Sequence, residues 1–373
     1  MSEQFTLVFD KEFVHSSAIL GLEDLLYVVR ALIPPGFEEA FRQRAIYANA
    51  HSTVAIEGNP ISREDALRVS VEGADNSNPD EVEIENIETA YDLIHQLSGD
   101  ATVAIDQGLI RTLNSIILRN IEGAEAEARG RYRTRENAVV AEGSHRVLYR
   151  PPAPSLVSPL MDALEGNIKE WRERYPPAIA AALAHFGLVS IHPFEDGNGR
   201  TARLIAHMML EKSGDSVESL LHVNEAILRL RGDYYEVLRE TQGPRFKPEV
   251  DVQPFVAFHT RALALAAARL QREAISFARW RDKAIEESRG ALNERQVTGL
   301  MFLTAVPRPL SSSAYAKIAK TSQTTAVADL NDLVDSGILD RLGRGPGTRY
   351  QLSAPFREAT LVDEEEDEGA QVM

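Results

Sequence analysis

The stretch His192-Pro193-Phe194-Glu195-Asp196-Gly197-Asn198-Gly199-Arg200-Thr201-Ala202-Arg203 joins two helical patterns, over residues 177–191 and about 199–212, and so reads as the loop of a helix–loop–helix. Gly197, Asn198 and Gly199 run straight into the second helix. Backbone N–H groups at such a start lack partners, and the helix dipole there favours an anion. Glycine lets the backbone come close to a ligand. Taken alone, this reads first as a plain turn before a helix, since glycine turns there are common. Arg200 and Arg203 lie three apart in the first turns, so they share a face. Cations at a helix N-terminus oppose the dipole, which points to a bound anion; guanidinium groups bridge phosphate oxygens two at a time. The alternative is a pair of solvated surface arginines. His192 and Asp196 flank the same loop: an imidazole can take a hydroxyl proton near neutral pH, and one carboxylate suffices for Mg²⁺, which fills its shell with water and phosphate. His185, inside Leu183-Ala184-His185-Phe186, reads as a structural histidine.

Outward from the loop the chain is almost entirely helical. Helical patterns cover residues 38–57, 81–97, 107–120, 156–175, 177–191 and 234–241, with a long one over 252–287. Ser62 with Asp65 reads as a capping box opening a short helix through Val71, and residues 73–80 read as a loop. Val139-Val140 and Val147-Leu148-Tyr149 flank Glu142-Gly143-Ser144-His145, a short β-hairpin. After Gly290 three helices (294–304, 315–320, 323–335) precede strands at Ile338-Leu339 and Tyr350-Gln351-Leu352, the order of a winged helix-turn-helix. The reading divides the chain into 1–105, an N-terminal helical region; 106–245, the core; 246–290, a connecting helix; 291–353, the winged helix; and 354–373, an acidic disordered tail.

Composition bounds the partners. The 373 residues are 44% hydrophobic and 26% charged, which suits a globular protein of several domains. No cysteine is present, so disulfides, thiolate metal sites and cysteine nucleophiles drop out. A net charge of −16 argues against broad nucleic-acid binding. Residues 357–373 hold seven of the acids against one arginine. Neither a secretory leader nor a membrane span is visible, so a cytoplasmic protein is expected.

The loop matches the signature HxFx[D/E]GNGRxxR, and the chain thereby resembles the Fic (Fido) family; Gly130-Arg131-Tyr132-Arg133-Thr134 and Gly232-Asp233-Tyr234-Tyr235-Glu236 are also similar to family segments. The resemblance implies a helical bundle with a β-hairpin flap and an enzyme that moves AMP from ATP to a Ser, Thr or Tyr hydroxyl of a target protein. It makes His192 the general base, Asp196 the Mg²⁺ ligand, Gly197, Asn198 and Gly199 the anion nest, Arg200 the neutraliser of phosphate charge and Arg203 the clamp on the γ-phosphate. Thr201 counts among the nucleotide contacts, and Gly199, where a toxin branch has Lys, favours AMP transfer. Tyr234 and Tyr235 fall where the family meets the nucleoside; as an aromatic pair they could equally be helix packing. The target would dock as a strand along the flap, residues 137–149. Thr53-Val54-Ala55-Ile56-Glu57-Gly58 matches the family's inhibitory pattern, which implies that Glu57 pairs with Arg203 and displaces the γ-phosphate. Removal of AMP as well as its transfer, self-modification, a homodimer, and DNA contact by the winged helix stay open; the presumed recognition helix bears Asp329, Asp332 and Asp335 and no basic residue, which slightly favours protein docking or a dimer contact over DNA.

Overall fold

In the computed structural model the described residues are 5–33, 37–121, 128–141, 146–212, 217–288, 292–305 and 309–361. β1 (Thr6–Val8) leads through a 3₁₀ turn to α1 (Ser17–Leu32), then come α2 (Glu38–Ile56), α3 (Arg63–Glu72), α4 (Pro79–Ser98) and α5 (Gln107–Ile117). The hairpin strands β2 (Val139–Val140) and β3 (Val147–Tyr149) precede α6 (Pro154–Arg174), α7 (Pro177–Ile191) and α8 (Asn198–Glu211). Then follow α9 (Val223–Arg229), α10 (Arg231–Gln242), β4 (Glu249–Asp251) and the long α11 (Gln253–Ser288). The last part holds α12 (Glu294–Ala305), α13 (Ser312–Ile318), α14 (Gln323–Asp335), β5 (Leu339–Leu342), β6 (Arg349–Leu352) and α15 (Ala354–Leu361). The expected fold class, a helical bundle carrying a short hairpin, is what forms.

The bundle is organised around α7. Every residue from Ile179 to Ile191 is buried, and a helix apolar on all sides can be stable only when enclosed. Its small residues admit close neighbours: a Cβ on Gly187 would lie 2.7 Å from Leu164 Cδ1 of α6. Helices α6, α8 and α11 pack around it. Pro177 opens α7 at a position whose N–H needs no partner, and α7 ends at His192-Pro193 because the residue before a proline avoids the α region. That ending puts the motif loop at one end of the core.

Local chemistry accounts for most boundaries. Ser62 Oγ accepts from Asp65 N–H at 3.0 Å, opening α3 as the capping-box reading requires. The strands of the hairpin pair antiparallel, with Val139 opposite Tyr149 and Val140 opposite Val147; the expected turn, residues 142–145, lies outside the described residues. Two features have no counterpart in the sequence reading. Helix α1 lays Ile19, Leu22, Leu26 and Val29 against α11, and β1 pairs in parallel with β4, so the N-terminal segment is tied to the strand just before α11. At the other end, Ala354–Leu361 is helical where a solvated tail was expected, because Phe356 is buried with its ring edge-on to Trp280 at 6.0 Å. Residues 362–373 lie outside the described residues. Among those described, no helix is long and apolar enough to cross a membrane.

Candidate active site at the start of helix α8

His192 closes α7 in the left-handed conformation, φ 50° and ψ 58°. For a non-glycine residue this costs on the order of 1–3 kcal/mol and persists only where the surroundings impose it. They do. Its N–H donates to Leu188 O at 2.9 Å, and its carbonyl accepts from Arg133 Nε at 2.8 Å. Arg133 is itself buried and also donates to Pro152 O at 2.5 Å and Arg135 O at 3.2 Å, so one guanidinium clips the motif loop to the segment flanking the hairpin. The imidazole Nδ1 faces Val189 O at 3.3 Å. A carbonyl can only accept, so Nδ1 carries the proton and Nε2 keeps its lone pair. Burial pushes this histidine down to about 4; the Val189 carbonyl opposes that shift and the Arg133 cation adds to it. His192 is therefore neutral at pH 7.

The loop behind it is pinned from inside. Phe194 is buried, and Asn198 grips its backbone twice: Phe194 N–H donates to Asn198 Oδ1, and Asn198 Nδ2 donates to Phe194 O, each at 2.9 Å. The side chain of Asn198 thus shapes the loop, its amide spent on the backbone of Phe194. Gly197 has φ +77°, which only glycine adopts cheaply, and any side chain there would run into Asn114 Nδ2 and Ile117. Asn114, wholly buried on α5, donates to Asp196 O at 3.0 Å and to Thr201 Oγ1 at 3.3 Å, while its own oxygen accepts from Gly130 N–H at 3.0 Å. Thr201, expected among the nucleotide contacts, is buried here with its hydroxyl on Asn114. The Asp196 carboxylate is 59% exposed and accepts from Gly197 N–H at 2.5 Å and from Arg200 at 3.2 Å through both oxygens. Among the described residues no group of three His, Asp or Glu side chains could hold a metal by itself.

Both motif arginines are buried and already engaged. Arg200 Nη1 pairs with Glu83 of α4. Arg203 Nε donates to Thr53 Oγ1 at 2.7 Å, and its Nη2 donates to Thr53 O at 3.1 Å and Glu57 Oε1 at 2.6 Å. Thr53 and Glu57 come from the last turn of α2, and Gly58, at φ +99°, turns the chain away directly after it. Arg203 Nη1 is buried with no partner, 3.3 Å from where a Cβ on Gly199 would lie. A fixed donor of this kind at the start of α8, uncompensated, is what an anion would satisfy.

The two tyrosines separate. Tyr234 is 2% exposed, packed between Tyr235 and Phe258, with its hydroxyl 3.1 Å from His185 Nε2, the core packing that was the alternative for this aromatic pair. Tyr235 is 40% exposed and donates to Ile56 O at 3.0 Å, the same carbonyl that accepts from Arg231 Nε at 3.0 Å. The orphan carbonyl at the end of α2 is thereby capped from α10.

Sequence reasoning gave no role to Asn114, Arg133, Glu83 or Arg231. One signal was available for Asn114: it occupies a core position in the stripe Leu109, Ile110, Leu113, Asn114, Ile117, where a polar residue must have partners. Arg133 lay inside a segment already noted for its resemblance. Glu83 and Arg231 carried no signal, being ordinary charges on helical surfaces.

Residues 104–210 match the model of the Fic/DOC family. A protein adenylyltransferase Fic of Nematostella vectensis is 37% identical over 114 residues, 30% of this chain and 23% of that protein. One of Drosophila ananassae is 29% identical over 224 residues, 58% and 40% of the two chains. The chain thus spans less than half the length of these relatives. Among solved structures, a Fic family protein from Desulfovibrio desulfuricans G20 superposes with a TM-score of 0.55 at 23% identity, covering 91% of this chain and 97% of that one. A Fic domain containing signaling protein from Bacteroides thetaiotaomicron gives 0.57 at 21% identity, covering 68% and 95%. These two likenesses establish the fold.

Proposed function

Because residues 104–210 match the model of the Fic/DOC family, we propose that this chain is a protein adenylyltransferase, moving AMP from ATP to a hydroxyl side chain of another protein, and that Glu57 holds it in check. The observation that carries the reading is the unpartnered donor of Arg203 beside the start of α8, with a neutral His192 at the other end of the same loop. His192 Nε2 takes the proton of the target's Ser, Thr or Tyr hydroxyl. That oxygen attacks the α-phosphorus, the bond to the bridging oxygen breaks, and pyrophosphate leaves. The N–H groups at the start of α8, with Arg200 and Arg203, hold the phosphates in line; catalysis here is positioning and charge compensation.

Asp196 fits a Mg²⁺ site in the limited way this cation asks: one exposed carboxylate on the loop before α8, the remaining ligands being water and phosphate oxygens. Bound there, the ion would neutralise phosphate charge. Arg200 would turn from Glu83 and Asp196 toward the α- and β-phosphates. The target would add a strand at the hairpin of β2 and β3, which is tied to the site by Asn137 Nδ2 donating to Glu195 O at 3.4 Å and Tyr149 donating to Ser190 O at 2.6 Å.

Autoinhibition is supported by competition for one guanidinium. With Glu57 on Nη2 and Thr53 on Nε, the clamp expected for the γ-phosphate is half-filled by the protein's own groups. The carboxylate is 37% exposed, so it can leave without unfolding α2. The last part of the chain has the order of a winged helix, and we assign it to docking and not to DNA. Asp329 is committed inward to Arg295 Nε at 2.9 Å and Asn293 at 3.1 Å, the helix α14 presents no cation, and α12 packs on α2.

The decisive assay uses ATP labelled at one phosphate or the other. Label from the α-phosphate should enter protein in the presence of Mg²⁺. Label from the γ-phosphate entering instead would make the protein a kinase and reject the reading.

A further inference from the structure

The three positions Gly197, Asn198 and Gly199 differ in why they hold small or polar residues. Gly197 needs glycine for its backbone angle, and Asn198 needs its amide to grip Phe194. Gly199 needs glycine for neither reason: it lies in the first turn of α8 with an ordinary helical backbone, where alanine is the more favourable residue. What glycine provides is space. A Cβ at residue 199 would lie 2.5 Å from Glu57 Oε1, well inside van der Waals contact, and 3.4 Å from Glu57 Cδ. Oε1 is the same atom that accepts from Arg203 Nη2.

We propose that Gly199 is the seat of the inhibitory carboxylate, a positioning residue whose missing side chain allows Glu57 to reach Arg203. The inference rests on the autoinhibited reading above and adds the residue that makes the contact sterically feasible. The atom displaced is the far end of a flexible, partly exposed side chain, so the response to a methyl group is that Glu57 swings outward. After Glu57 Oε1 the next nearest atom to the added carbon is Arg203 Nη1 at 3.3 Å, which needs to give by only a few tenths of an ångström. One methyl group on α8 then does what deletion of the glutamate does on α2, from 142 positions away in the chain.

The test is Gly199→Ala in the full chain, alone and with Glu57→Gly, read in two ways. In a crystal structure of Gly199→Ala without nucleotide, Glu57 should be more than about 4 Å from Arg203, beyond ion-pair range. Transfer of label from α-labelled ATP should rise about tenfold, within the range usual when two groups compete through one contact, and should not rise further in the double variant. An intact Glu57–Arg203 pair in the Gly199→Ala structure overturns the proposal. So does Gly199→Ala labelling no better than wild type while Glu57→Gly labels strongly. A loss of labelling in both backgrounds would assign the space to the nucleotide and also overturns it. If no variant labels at all, the transferase reading fails, and the position of Glu57 in the crystal still decides the seat.

Discussion

At the residue scale the site depends on groups that do no chemistry. Asn114 supplies three hydrogen bonds that join α5, the loop before α8 and the Gly130 turn. Asn114→Ala leaves Gly130 N–H and Asp196 O without their buried partner, at a cost of about 2–3 kcal/mol, to be read as a lowered midpoint in denaturant. Transfer activity should fall with it, because the loop loses its anchor. The histidines give a pH signature. Unfolded histidine titrates near 6.5, whereas burial holds folded His192 and His259 down to about 4 and keeps His185 well below its ordinary value. As the pH falls below about 6.5, the unfolded chain takes up protons that the folded chain refuses, so stability is lost on acidification and retained above. For His259, which is fully buried, this amounts to about 2 kcal/mol by roughly pH 5, measurable by denaturant titration at pH 7 and pH 5. Activity has its own signature. A base already neutral at pH 7 keeps transfer by Glu57→Gly level between about pH 8 and pH 6, where an ordinary histidine would have lost about three-quarters of its neutral form.

At the scale of elements, α2 is a lever with its working end held in three places. Arg203 holds Thr53 and Glu57, Tyr235 and Arg231 cap Ile56 O, and Asn59 donates to Glu83 at 2.8 Å. Tyr235→Phe removes one cap bond while keeping the ring under Arg231. Loosening that turn should raise transfer in the otherwise native chain roughly two- to tenfold, the effect of one hydrogen bond, and should do nothing in Glu57→Gly. The extents of these elements were largely legible. Helix α7 runs from Pro177 to Ile191 as read, since proline fixes its start and the residue before Pro193 its end. Helix α14 also has its predicted bounds, with Ser322 as its cap. What could not be read was which face of α10 meets the core. Tyr234 and Tyr235 are adjacent, so they point about a third of a turn apart, and only the position of α11 decides that Tyr234 goes inside. The strand pair β1 and β4 was hidden for a related reason, because its partners stand more than two hundred residues apart and each is only three residues long.

At the scale of the molecule, the last helices rest on the lever itself. Tyr47 of α2 meets Phe302 of α12 edge to face at 5.7 Å, and Lys320 reaches Glu39 at 2.6 Å. A partner that pulled on this unit would act on α2 directly. Phe302 is buried, and Phe302→Ala should cost about 3 kcal/mol, seen as earlier melting of the unit comprising α12 to β6. The exposed Lys320 pair should contribute little. Such an arrangement was beyond the sequence, which marked a separate unit after Gly290 but held nothing to say where it docks. A neutral imidazole beside an anion cradle that Glu57 obstructs is the centre of the proposed enzyme. The most direct measurement is incorporation of α-labelled AMP into protein by wild type, Glu57→Gly and Glu57→Gly with His192→Ala, at equal concentration with Mg²⁺. The prediction is weak labelling by the first, at least about tenfold more by the second and none by the third. Equal labelling by the first two, or labelling that survives the loss of His192, would contradict it.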